Sequence, residues 1–78
     1  MKRRWQDRIV VDRTIHHGDP CIKGTRIPVA TLVGSLADGM TFGDIRDAYP
    51  QLTDDDIYAA LAYAAEVLRQ EIVLPLST

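Results

Sequence analysis

Apolar positions follow two different patterns along the chain: short adjacent runs before residue 28, and spacings of three and four beyond it. Arg8-Ile9-Val10-Val11-Asp12 is short, β-branched and polar at both ends, which predicts a strand. His17-Gly18-Asp19-Pro20 is a turn cluster. Cys21-Ile22 and Thr25-Arg26-Ile27 flank Lys23-Gly24, so a second extended segment, bent or bulged at Gly24, is predicted to pair with the first. Such a hairpin is marginal alone and must pack on helices or on a second chain.

From Pro28 onward the period becomes helical. Proline fits the first turn of a helix, where its missing N–H costs no bond. Val29, Leu32, Val33, Leu36 and Met40 form one stripe, and Gly39 suits a left-handed stop, so the first helix is predicted over 28–38. Thr41-Phe42-Gly43-Asp44 reads as a capping box that opens a short second helix with Ile45, Ala48 and Tyr49 on its inner face. Pro50 disfavours helical geometry at Tyr49 and ends it. Thr53 followed by Asp54, Asp55 and Asp56 repeats the cap, and a long third helix follows with Ile57, Leu61, Ala64, Leu68 and Ile72 on one face and Ala60 and Glu71 beside it.

The order is therefore β–β–α–α–α: a mainly α fold, a tri-helical helix-turn-helix of homeodomain-like plan preceded by a short β-hairpin. No linker, low-complexity tract or long-period repeat interrupts it. Seventy-eight residues predict one domain, with an arm and β element over 1–27, a helical core over 28–72 and a tail over 73–78. A chain of this size gains only about 3–5 kcal/mol from one core, which makes a homodimer the expected state. The tail Ile72-Val73-Leu74-Pro75-Leu76 is unusually apolar for a chain end. It either folds back onto the core or covers a partner.

Composition narrows the class. With 46% hydrophobic and 26% charged residues the chain is too apolar to be wholly disordered. The single cysteine excludes an internal disulfide, and nothing supplies four ligands for structural zinc. The start MKRRWQDRIVV has the positive charge of a signal peptide, but Ile9 to Val11 is far short of the roughly 7–15 residues of its apolar region. The run from Ile57 to Ala65 is likewise much shorter than the ~18 residues of a spanning helix. A cytoplasmic location is the expectation.

The net charge of −2 conceals an asymmetry. Residues 1–26 balance at +4, whereas residues 27–78 balance at −6. A cationic N-terminal segment can meet phosphate or an acidic protein surface, and the acidic remainder is repelled by a duplex. Both charge groups also serve plain solubility. If DNA is bound, the contacts fall to Lys2, Arg3, Arg4, Arg8, Lys23 and Arg26, with Arg46 from the second helix. Thr25 and Arg26 have a structural alternative, in which the threonine bonds local backbone and the arginine pairs with Asp12 or Asp44. Trp5 anchors either the N-terminal arm or a partner.

Enzyme chemistry finds little support. His16, His17, Asp19 and Cys21 lie close in sequence, but adjacent histidines in an extended segment point to opposite faces and the spacing matches no zinc pairing. A Cys21–histidine nucleophile pair would need an orienting third group and a water-excluding pocket. Asp54, Asp55 and Asp56 splay around a helix and read as a solvated N-cap, not a metal cluster. Gly24-Thr25 lacks the glycine pattern of a phosphate loop. No enzyme, metal or cofactor is expected.

Gly18-Asp19-Pro20-Cys21-Ile22-Lys23-Gly24-Thr25-Arg26-Ile27-Pro28-Val29 resembles the family labelled domain of unknown function four-three-three. The likeness continues through Leu36 to Thr41, Tyr49-Pro50-Gln51-Leu52-Thr53 and Asp56 to Tyr63, covering roughly residues 8–66. The GTRIPV block and the YPxLT block at this separation are its specific marks. The resemblance implies a helix-turn-helix-like fold with a small β element, usually dimeric. It further implies a VapB-like antitoxin of a type II toxin–antitoxin pair, partnered with a PIN-like ribonuclease toxin and able to repress its own operon. On that reading Ile72, Val73, Leu74 and Leu76 of the tail meet the toxin. The alternative is a dimeric protein-interaction module without DNA binding, its acidic helices facing a basic partner.

Overall fold

A computed structural model describes residues 4–12, 14 and 18–71. A 3₁₀ turn, Trp5–Asp7, leads into strand β1, Ile9–Val11. β1 pairs antiparallel with β2, Pro20–Ile22, in the register Ile9 to Ile22, Val10 to Cys21 and Val11 to Pro20. Beyond β2 the chain does not merely bend at Gly24, as the sequence suggests; it reverses. The Thr25 amide donates to the Ile22 carbonyl at 3.0 Å, and Gly24 takes a φ of +81°, a left-handed conformation that favours glycine. The threonine hydroxyl locks the turn, donating to the Ile22 carbonyl at 2.7 Å and accepting the Ile27 amide at 3.0 Å. This reversal lays Pro28 against Cys21 in an isolated bridge on the far side of β2.

Three helices follow: α1, Val29–Ala37; α2, Phe42–Ala48; and α3, Asp54–Glu71. The molecule is thus mainly helical, with three helices behind a small antiparallel hairpin. Pro28 sits one place outside α1, as its extended N-cap and not within its first turn. α1 ends as its glycine predicts: Gly39 at φ +98° lets its own amide reach the Leu36 carbonyl and the Met40 amide reach Ser35. The capping box at α2 is complete, with Thr41 Oγ1 accepting the Asp44 amide and Asp44 Oδ2 accepting the Thr41 amide, both at 3.0 Å. α2 stops at Tyr49, before Pro50.

One core joins all these elements. Ile22, Leu32, Ile45 and Ile57 are its fully buried large side chains, with Ile9, Ile27, Val29 and Leu52 around them. Each such burial stabilises by about 1.5–3 kcal/mol against an exposed reference. Trp5 closes the N-terminal side by packing edge-on against Tyr63, ring centroids 4.9 Å apart. The buried face of α3 differs from the one its spacing predicts. Ile57, Ala59 and Ala60 are buried and Tyr63 packs on the core, whereas Leu61 and Ala64 are only half-buried and Leu68 is 60% exposed. The helix is rich in alanine on every side, so periodicity alone leaves its rotation undecided, and small residues at 59 and 60 permit the closer approach. Ile72, the last residue of the predicted stripe, lies outside the described residues. Among the described residues no helix is long and apolar enough to cross a membrane.

Candidate functional site

The N-terminal end of α3 is the cap the sequence suggests, with Asp54 and Asp55 exposed, and it is also a polar clamp. Thr53 and Asp56 form a second capping box: Asp56 Oδ2 accepts the Thr53 amide at 3.0 Å and Thr53 Oγ1 accepts the Asp56 amide at 3.3 Å. The other oxygen, Asp56 Oδ1, accepts Arg8 Nη1 at 3.0 Å, and Arg8 Nη2 lies 3.6 Å from Asp55. Asp56 is only 9% exposed, so this carboxylate links β1 to α3 from a largely dry position. On the opposite side Arg46 of α2 pairs with Asp54 at 3.1 Å and also donates to the Phe42 carbonyl. All three aspartates of the cap therefore carry a tertiary ion pair.

These pairs bear on the seven cations expected to meet DNA. Arg8 and Arg46 flank the start of α3 with their guanidiniums directed at its carboxylates. Arg4 pairs with Asp7 at 3.4 Å, both exposed. Lys23 and Arg26 are exposed around the tight turn, and the Lys23 amide donates to the Arg8 carbonyl, which keeps that turn beside β1. Lys2 and Arg3 lie outside the described residues. The front of α3, which enters the major groove in a helix-turn-helix, presents exposed Asp54 and Asp55, each paired with an arginine from another element.

The opposite half of α3 has a different character. Between the start of α1 and the C-terminal half of α3 runs an open groove of about 370 Å³, walled by Pro20, Pro28, Val29, Val33, Val67 and Leu68. Asp19 also lines it. The groove exists because the reversal at Gly24 returns Pro28 beside β2 and so sets the first turn of α1 across from α3. Sequence reasoning missed it: its walls come from three separate segments, and the only signal was the apolar content of α3 past Tyr63. The tail residues assigned to a partner, Ile72, Val73, Leu74 and Leu76, lie outside the described residues.

Comparison with known proteins places this architecture. Residues 9–64 match the family described as Protein of unknown function (DUF433). The chain belongs to the DUF433 family. A crystal structure of a DUF433 member protein from Anabaena variabilis ATCC 29413 is similar, with 34% sequence identity and a TM-score of 0.77. The match covers 83% of this chain and 64% of that one, so the present chain spans less than two thirds of its relative's length. No curated protein matches the chain.

The two sequence blocks that mark DUF433 here are both structural joints. GTRIPV forms the reversal after β2 and the cap of α1, and YPQLT forms the turn between α2 and the clamp. Cys21, beside the first block, is a buried thiol whose Sγ donates to the Asp19 carbonyl at 3.4 Å. Burial, assisted by the Asp19 charge, pushes its pKa above the ordinary thiol value. An activated cysteine shows the reverse shift. His16 and His17 lie outside the described residues.

Proposed function

We propose that this DUF433 protein is the antitoxin of a type II toxin–antitoxin pair, a dimeric and non-catalytic binding module that covers and neutralises a PIN-like ribonuclease. The observation that carries the reading is the uncovered apolar surface on the C-terminal half of α3, where Leu68 is 60% exposed beside the groove. Exposed apolar surface of this kind marks interaction sites. The GTRIPV and YPQLT resemblance supplies the class of partner, and the buried, proton-retaining Cys21 thiol supports binding in place of catalysis.

The test is reconstitution with the PIN-like ribonuclease that co-purifies with the tagged chain from its native host. Adding the pure chain is expected to abolish RNA cleavage, and Leu68→Lys is expected to restore it. Full cleavage in the presence of a stoichiometric complex, or no complex at micromolar concentrations, refutes the proposal. Light scattering is expected to give a dimer, and a strict monomer at the same concentration removes that part of it.

Operator binding belongs to the proposal as a second activity, carried by the basic N-terminal segment with Lys2, Arg3, Arg4, Lys23 and Arg26. A dimeric protein-interaction module without DNA binding is the competing reading. The clamp favours the latter, since Arg8 and Arg46 already face carboxylates. A mobility shift of the promoter fragment decides: binding whose salt dependence flattens in Arg3→Ala/Arg4→Ala supports the operator role, and weak, salt-labile retention without sequence preference supports the module.

A further inference from the structure

We propose that two copies of this chain join along the outer edge of β1, the two β1 strands pairing antiparallel about Val10 to make one continuous sheet in the order β2-β1-β1-β2. The proposal rests on the dimeric reading above and supplies the surface that reading lacks.

The hydrogen-bond phase of the hairpin is the first argument. The Lys23 amide donates to the Arg8 carbonyl at 2.7 Å, and Arg8 with Lys23 continues the register that pairs Ile9 with Ile22. Bonded pairs alternate along an antiparallel ladder, so Val10 and Cys21 form the next one. Ile9 and Val11 therefore turn their amides and carbonyls away from β2. The opposite strand agrees: Ile22, across from Ile9, sends its own amide outward to the Ile27 carbonyl at 3.0 Å. That bond and the Cys21–Pro28 bridge occupy the far edge of β2. Among the described residues no strand lies beyond β1, so its edge is the open one.

Self-complementarity is the second. Antiparallel pairing centred on Val10 sets Ile9 of each strand opposite Val11 of the other, and each such pair exchanges two bonds, four in all. Val11, 55% exposed in the single chain, then lies beside Ile9 of the second copy on the same face of the sheet. The strand ends match in charge as well. Arg8 of one copy comes opposite Asp12 of the other, whereas an in-register parallel arrangement sets Arg8 beside Arg8 and Asp12 beside Asp12. Arg8 keeps 42% of its side chain exposed despite its hold on Asp56, and Asp12 meets Thr14 through Oδ1. One two-fold axis at Val10 satisfies the backbone, the apolar pair and the charges together, as an interface between identical surfaces requires.

The experiment uses the full chain without any other partner. Val11→Pro removes an amide that β2 does not use, a change that an edge strand tolerates. Analytical ultracentrifugation is expected to give a dimer for the unsubstituted chain. For Val11→Pro the dissociation constant is expected to rise by roughly 30-fold, two of the four bonds being lost, at an unchanged circular dichroism spectrum. An equally tight dimer in Val11→Pro overturns the β1 interface and leaves the dimeric reading standing, whereas a monomeric unsubstituted chain overturns both. Amide hydrogen exchange on the unsubstituted chain gives a second reading that does not depend on how the variant folds. Protection at Val11 is expected in the dimer and is lost on dilution to monomer, while Val10, bonded to β2, stays protected. Unprotected exchange at Val11 in the dimer overturns the proposal, as does protection retained in the monomer.

Discussion

The two halves of α3 both carry apolar side chains but have opposite surroundings. One face of its first ten residues is enclosed: Ile57, Ala59 and Ala60 lie in the core, Asp56 is held by Arg8 and Thr53, and Tyr63 meets Trp5. Past Tyr63 the helix carries Ala64, Val67 and Leu68 along an open groove. An 18-residue helix is about 27 Å long, whereas Arg8 and Arg46 meet its first turn and Trp5 of the 3₁₀ turn meets it at Tyr63. The lesson is that helix length beyond the reach of the remaining elements converts core-like residues into surface.

The sharpest way to break this comparison is a matched pair of truncations in urea denaturation. Ile57→Ala is expected to cost about 2–5 kcal/mol, enough to unfold much of so small a protein. Leu68→Ala is expected to stay within about 0.5 kcal/mol while weakening partner capture. Equal losses at the two sites contradict the division. Within the clamp, Asp56→Ala is expected to cost about 1–3 kcal/mol because it removes both the arginine contact and the cap. Asp55→Ala is expected to cost under about 1 kcal/mol, its partner distance being longer and its side chain half exposed.

The boundary between the halves is set by the reversal at Gly24, where no atom crowds an added Cβ but the φ of +81° strains any L side chain. Gly24→Ala is therefore expected to cost about 1–2 kcal/mol through backbone alone, read as a lower urea midpoint. The smallest effect concerns Cys21. Its raised pKa means that the folded chain keeps the thiol proton to higher pH than the unfolded one, so its contribution is present below the ordinary value of 9.0 and is lost as pH rises through the folded value. Cys21→Ala is expected to flatten this alkaline decline, and a slope identical in both proteins removes the assignment.

Much of the fold is legible in the sequence because its signals are local. Thr41 with Asp44, Gly39, Pro50 and Thr53 each mark a helix boundary by chemistry within three or four residues, and the structure places helix ends accordingly. What stayed hidden is non-local. The Arg8–Asp56 pair spans 48 positions and leaves no spacing to read. Gly24 announces a break, but whether the chain bends or doubles back depends on Pro28 finding Cys21. The rotation of α3 was misread because Ala59, Ala60, Ala62, Ala64 and Ala65 blur the distinction between its faces.

Trp5 against Tyr63 and Arg8 against Asp56 tie the segment around the 3₁₀ turn and β1 to α3, some fifty residues further along the chain. During synthesis β1 can pair with β2 early, but Trp5 and Arg8 find these partners only once α3 has been made. That side of the core therefore closes in a step later than hairpin formation.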